Sequence, residues 1–165
     1  MTLDALNHLA ASEAIQLLKT CACIDHWAQI VVSQRPFATT ENFLQAAKMQ
    51  MQYWQQTELD EALSGHPRIG EKKAGNSAEA KFSAQEQSAS QTNDAVLKQA
   101  IAAGNLAYES KFDRIFLIRA KGRDSEAILA ELNRRLQLTP EVEVQEALAQ
   151  LREITLLRLE GMISE

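Results

Sequence analysis

Residues 40–63 have the sequence TENFLQAAKMQMQYWQQTELDEAL, in which apolar residues recur three and four positions apart. This spacing places them on one face of a helix, because an α-helix turns once in about 3.6 residues. The face consists of Phe43, Ala47, Met51 and Trp54. We therefore expect a single long helix over 40–63 that buries this face.

The same spacing recurs on both sides of this stretch, whereas period-two runs of β-branched residues are scarce. We expect a short first helix capped by Thr2, and further helices over about 12–32, 83–93, 95–111, 124–136 and from 140 onward. The composition of 70–82 predicts a flexible loop, and 112–121 predicts an extended segment or a buried turn. The sequence thus predicts an all-α fold, a multi-helix bundle.

The length, the net charge and the apolar runs of the chain exclude several classes of protein. A chain of 165 residues is long enough to bury a real core, so we expect a single domain over 1–165. The net charge of −5 argues against a nucleic-acid surface, which needs a basic stripe. No apolar run approaches the length of a membrane span, and no signal pattern opens the chain, so we expect a cytoplasmic protein without a membrane partner.

The two cysteines, Cys21 and Cys23, have the spacing of neither a CxxC motif nor a disulfide framework. We expect buried or half-buried thiols. The chain also lacks a Gly-rich phosphate loop, an HExxH motif and a His and acid cluster with metal-ligand spacing. Neither metal nor nucleotide chemistry is therefore expected.

A loop after the 40–63 stretch carries the first candidate for chemistry. Its sequence is GHPRIGEK, residues 65–72, in which Gly65 ends the helix and Pro67 prevents it from resuming. His66 is thereby held at the end of an element. Because imidazole titrates near neutral pH, His66 is a candidate for proton transfer. The alternative is that His66 only complements the helix dipole.

Residues 83–87, SAQEQ, have the form of a capping box at a helix start. In the structural interpretation, the Ser83 hydroxyl and the Glu86 carboxylate only satisfy backbone donors. In the functional interpretation, the unpaired N–H groups of the helix start attract an anion, and Glu86 and Gln87 face it as acceptor and donor.

The last predicted helix places Arg158 among apolar residues. At about 100° per residue, Arg158 falls on the face of Leu151, Ile154 and Met162. A buried guanidinium is costly unless an anion pairs with it. Arg158 must therefore reach the surface, pair with an internal carboxylate or bind an anionic ligand.

These residues together give the chain a family resemblance. It resembles the 2-oxo-4-hydroxy-4-carboxy-5-ureidoimidazoline (OHCU) decarboxylase family of urate degradation over essentially its whole length. The agreement includes His66-Pro67, Ser83 to Gln87, Arg158-Leu159, Arg35-Pro36-Phe37, Asn105 with Tyr108 and Phe112, Phe116 to Ala120, and Arg135-Leu136. Two positions depart from it. Asp113 stands where the family usually has Gly, and Ile69 where Leu is more common.

The resemblance implies a helical bundle, usually a homodimer, that converts OHCU to (S)-allantoin without metal or organic cofactor. It implies His66, Glu86 and Arg158 as catalytic residues. It also implies a substrate-binding set, which is Pro67, Ser83, Gln87, Phe116, Leu117, Ile118, Arg119 and Ala120. A cofactor is not needed as an electron sink, because the ring of this substrate accepts the electrons that CO2 leaves behind.

The alternative to an enzyme is a small helical binding or dimerisation module. In that case His66 is a helix-end residue, Glu86 is a cap and Arg158 is the partner in a salt bridge. If the chain is a module, substitution of any of the three residues lowers the stability of the fold, whereas in an enzyme it lowers the rate of turnover.

Overall fold

The structure is a computed structural model that describes residues 1–64, 66, 68–69, 86–87, 92 and 94–164. Within these residues it contains eight α-helices and no strand, which confirms the predicted all-α fold. The expected loop over 70–82 and most of the expected helix over 83–93 lie outside the described residues. Among the described residues, none of the helices combines the length and the hydropathy that a membrane span requires.

The chain forms two compact units. The first unit consists of Met1–Ser64 with Arg152–Glu165, and the second of Gly65–Leu151. The expectation of a single domain over 1–165 stays a prediction.

The first unit begins with five helices: α1 (Leu3–His8), α2 (Ala11–Lys19), α3 (Asp25–Ser33), α4 (Thr40–Met51) and α5 (Gln56–Leu63). Thr2 caps α1 as predicted, because its hydroxyl accepts the Ala5 N–H at 3.1 Å. The rings of Trp27 and Trp54 pack edge to face with centroids 5.6 Å apart. Trp27 also donates its indole N–H to the Ala47 carbonyl at 3.1 Å, so the indole fixes α3 against α4.

The expected single helix over 40–63 is wrong, because two helices occupy this stretch. Met51 ends α4. A new helix begins after Gln55, whose N–H donates a hydrogen bond to the Glu58 carboxylate at 2.8 Å. The predicted face is nevertheless buried, with at most 4% exposure at Phe43, Ala47, Met51 and Trp54. Trp54 lies in the connection between the helices, so the apolar spacing continues across the break.

The expected helix over 12–32 is also two helices, α2 and α3. The connection is itself apolar, because Cys21, Ala22 and Ile24 are all buried within it. Helical periodicity therefore persists in the sequence although the helix does not. The two thiols are free, with Cys21 buried and Cys23 half-buried, as expected.

The second unit contains α6 (Ala95–Phe112), α7 (Ser125–Leu136) and the first turns of α8 (Pro140–Met162), which continues into the first unit. These helices agree with the predicted ones. The carboxylate of Asp94 caps α6 and that of Asp124 caps α7. Gly104 lets α6 and α7 approach closely, because a Cβ at this position would clash with the Leu132 side chain.

Asp113 ends α6 in the left-handed conformation, with φ of 56°, and its N–H bonds to the Glu109 carbonyl. Glycine adopts this conformation without steric cost, and aspartate is among the residues that tolerate it. The structure thus explains the first departure from the family pattern: the position favours Gly, and Asp113 is a tolerated substitute. The second departure, Ile69, is buried and part of the core cluster of this unit.

Candidate active site

The 116–120 segment, which connects α6 to α7, is packed as an extended chain. Its alternate residues Phe116, Ile118 and Ala120 enter one core cluster. A period of two is the pattern of extended backbone, so the segment follows the first of the two sequence predictions. The other members of the cluster are Ile69, Ile101, Tyr108, Phe112, Ile128 and Leu132.

A group of three buried polar side chains lies beside this segment. The guanidinium of Arg135 donates from Nε and Nη2 to the carboxylate of Glu143, and the Tyr108 hydroxyl donates to the same carboxylate at 2.5 Å. None of the three is more than 1% exposed. Burial and the bond to Glu143 raise the pKa of the Tyr108 hydroxyl well above its ordinary value, so Tyr108 keeps its proton.

This group, the Arg135–Glu143–Tyr108 cluster, holds the 116–120 segment directly. Arg135 Nη1 donates to the Leu117 carbonyl at 2.6 Å, and the guanidinium stacks over the Phe116 ring, 4.5 Å from its centroid. The Tyr108 ring meets the Phe116 ring edge to face at 5.2 Å. The segment is therefore fixed both through its backbone and through a ring.

Gln150 fixes the same segment two residues further along. Its side-chain oxygen, on α8, accepts the Arg119 N–H at 2.8 Å. Leu117 and Arg119 thus turn backbone groups toward protein partners, in step with the period of two.

His66 is half-buried, and the residues after it are anchored to α6. Asn105 donates to the Ile69 carbonyl at 3.0 Å, and Arg68 forms an ion pair with Glu109 at 2.5 Å. Since Ile69 belongs to the cluster that contains Phe116, Ile118 and Ala120, the structure brings the loop of His66 next to the 116–120 segment.

Glu86 and Gln87 belong to the same unit as His66 and are half-buried. Their roles beside His66 stay predictions. Pro67 and Ser83, the remaining members of the predicted set in this part of the chain, lie outside the described residues.

Arg158 belongs to the first unit and is only 5% exposed, so the predicted burial of this residue is confirmed. Its Nη1 donates to the Cys21 carbonyl at 3.4 Å. The exposure excludes the first of the three alternatives, in which the guanidinium reaches the surface. Pairing with a carboxylate and binding of an anionic ligand are the two that remain.

The described residues offer no group of three or more His, Cys, Asp or Glu side chains arranged to bind a metal ion. The polar groups they do offer are imidazole, carboxylate, amide, guanidinium and backbone. Such groups bind an anionic molecule rich in N–H and carbonyl groups, and move a proton to or from it.

Sequence reasoning missed Glu143 and Gln150, and it gave Arg135 and Tyr108 no role beyond the resemblance. One available signal is the spacing of Ile128, Leu132 and Arg135, which share a helix face at i, i+4 and i+7. This is the same argument that predicted a buried Arg158. Glu143 carries no comparable signal, since an acid in the first turn of a helix is ordinary.

The chain is similar to known proteins in sequence and in fold. The sequence profile of the family described as OHCU decarboxylase matches residues 7–160. The uric acid degradation bifunctional protein TTL of Arabidopsis thaliana is 32% identical over 150 residues, 89% of this chain and 46% of that protein. The uric acid degradation bifunctional protein of Bacillus sp. (strain TB-90) is 24% identical over 168 residues, all of this chain and 33% of that protein. The chain thus spans less than half of either relative.

Two solved structures have the same fold. A crystal structure of OHCU decarboxylase in the presence of (S)-allantoin has a TM-score of 0.73 and 27% identity, and covers 90% of this chain and 98% of that one. A crystal structure of (S)-allantoin synthase has a TM-score of 0.71 at 19% identity, covering 99% of this chain and 54% of that one, and supports the fold alone.

Proposed function

The chain belongs to the OHCU decarboxylase family, and from this premise we propose that it decarboxylates OHCU and releases (S)-allantoin. The observation that carries the proposal is the profile match over residues 7–160, because this range contains all candidate catalytic residues. The likeness to a solved OHCU decarboxylase at 27% identity supports it over nearly the full length of both chains.

The reaction sets three tasks for the protein. The C–C bond to the carboxylate breaks and CO2 leaves. The bonding electron pair forms a C=C bond to the adjacent ring carbon, while the π pair of the C=N bond moves onto nitrogen, which takes up a proton. The enol-like intermediate then takes up a proton on carbon and loses its hydroxyl proton as the carbonyl forms. The protein must bind the carboxylate, stabilise the intermediate and deliver the proton to one face.

We assign delivery of this proton to His66. Histidine is the side chain most often used to transfer a proton near neutral pH, and His66 is half-buried beside an anchored loop. Donation from a fixed position reaches one face of a planar intermediate, and this accounts for a single enantiomer. Glu86 and Gln87 accept from and donate to the ureido N–H and carbonyl groups.

We assign binding of the substrate carboxylate to Arg158. A planar guanidinium binds a carboxylate through two parallel hydrogen bonds, and burial strengthens that attraction. In the same proposal the backbone of the 116–120 segment, together with Pro67 and Ser83, lines the substrate pocket.

The test is the rate at which freshly generated OHCU disappears and CO2 is released. We expect the chain to accelerate both, and His66→Asn to slow turnover by about 10²- to 10⁴-fold with an unchanged melting temperature. His26→Asn is the matched control, because His26 is an exposed histidine on α3 outside the site. An inactive wild-type chain, or a fully active His66→Asn, would refute the proposal and favour the binding module.

We also propose that the chain acts as a cytoplasmic homodimer without a metal or organic cofactor. The support is the resemblance to the family. Light scattering of the purified protein is expected to give the mass of two chains, and activity is expected to survive dialysis against a chelator. A monomer that is fully active would refute the assembly.

A further inference from the structure

The Arg135–Glu143–Tyr108 cluster is an expensive feature for a small unit, since two charges and a phenol are removed from water. Apolar residues of similar volume would fill such a space at less cost. The cluster is nevertheless aimed at one target: through Arg135 it bonds the Leu117 carbonyl and stacks on the Phe116 ring.

Gln150 acts on the same target from a second helix. Gln150 accepts a hydrogen bond from the Arg119 N–H, while Arg135 donates one to the Leu117 carbonyl. The two helices α7 and α8 therefore restrain the segment on either side of Ile118. In extended backbone, neighbouring residues turn their N–H and C=O groups in opposite directions. Ile118 therefore presents its backbone groups away from Arg135 and Gln150.

Ile118 has no such partner. In the described part of the chain, its N–H and C=O make no hydrogen bond, although the residue is only 4% exposed. Buried backbone groups are nearly always paired, so a ligand is the expected partner. A substrate rich in ureido N–H and carbonyl groups offers both the donor and the acceptor that these two groups require.

We propose that Arg135, Glu143, Tyr108 and Gln150 are positioning residues, which fix the 116–120 backbone so that the Ile118 N–H and C=O bind the ureido part of the substrate. This inference rests on the proposed function and deepens it. Beside Glu86 and Gln87, it gives the Ile118 backbone a share in binding the ureido group, and it adds the buried side chains that hold this backbone in place without touching the substrate.

Gln150 offers the sharpest test, because it is half-buried and its role is a single accepted hydrogen bond. Gln150→Met removes the acceptor, whereas Gln150→Glu retains an oxygen in its place. We expect Gln150→Met to raise KM by roughly tenfold and Gln150→Glu to restore most of the affinity. Mere loss of folded protein lowers the apparent kcat and leaves KM unchanged, so KM separates positioning from stability.

Hydrogen exchange reports the position of the segment independently of activity. We expect amides in 116–120 to exchange faster in Gln150→Met and in Tyr108→Phe. Trp27→Phe is the control, since it also removes one buried hydrogen bond but lies in the first unit. It should change neither KM nor exchange in 116–120.

The outcomes separate the two proposals. A wild-type chain without activity on OHCU refutes the proposed function and this inference with it. An active wild type whose Gln150→Met variant keeps its KM refutes this inference alone, whether or not exchange in 116–120 changes. A raised KM with faster exchange confined to that segment supports the assignment.

Discussion

Replacing Arg135 by Met is expected to lower the free energy of unfolding by about 3–5 kcal/mol, the cost of leaving a buried charge without its partner. The estimate follows from the surroundings of Glu143, which is 0% exposed. Once Arg135 is gone, the Tyr108 hydroxyl is the one side-chain donor to this carboxylate among the described residues. The Leu117 carbonyl loses its donor as well, and the Phe116 ring loses the stacked guanidinium.

The neighbouring residue supplies the control. Arg134 lies on the same helix and pairs with Glu131 and Glu146, but its side chain is 47% exposed. Solvent screens such pairs, so Arg134→Met is expected to cost less than about 1 kcal/mol. Urea unfolding at 25 °C, followed by circular dichroism, measures both variants.

The double variant Arg135→Met with Glu143→Leu completes the test. It removes both charges together, so we expect it to regain much of the stability that Arg135→Met loses. The reasoning is refuted if Arg135→Met lowers the free energy of unfolding no more than Arg134→Met does. It is also refuted if the double variant is less stable than Arg135→Met alone.

Three further predictions concern single residues. The raised pKa of Tyr108 means that the unfolded chain loses the phenol proton first, so above the ordinary value of 10.0 stability falls as pH rises. The wild type should lose stability relative to Tyr108→Phe by up to about 1.4 kcal/mol per pH unit there, and parallel unfolding curves would contradict this. Asp113→Gly should raise the free energy of unfolding by up to about 1 kcal/mol, and Asp113→Ala should lower it, because φ at residue 113 is positive. Denaturant titrations that give the reverse order of stability would contradict this argument. Arg158→Lys should lower kcat/KM by more than about tenfold, because an ammonium lacks the planar fork. If Arg158 instead pairs with a carboxylate, Arg158→Met costs about 3–5 kcal/mol in thermal melts while allantoin binding persists.

The sequence predicts the buried faces of the helices better than their ends. The face of Phe43, Ala47 and Met51 is buried as expected, since hydrophobic spacing reports burial directly. The breaks at 20–24 and 52–55 are not predicted, because Cys21 and Trp54 continue the apolar pattern through the connections. Periodicity alone does not distinguish a continuous helix from two helices joined by a buried link.

The same limit applies to the site. His66 stands out because glycine and proline frame it, and Arg158 because a charge lies on an apolar face. The partnership of Arg119 with Gln150 joins residues 31 positions apart, and no local pattern reports it. Such pairs follow from how helices pack, so only the folded chain shows them.

The handedness of the product tests the central claim most directly. Spontaneous decay of OHCU gives racemic allantoin, so chiral analysis of the product separates catalysis at a fixed site from a faster background. We predict that the wild-type chain yields (S)-allantoin alone and that His66→Asn yields the racemate. Racemic allantoin from the wild type, or pure (S)-allantoin from His66→Asn, would contradict the assignment of the proton to His66.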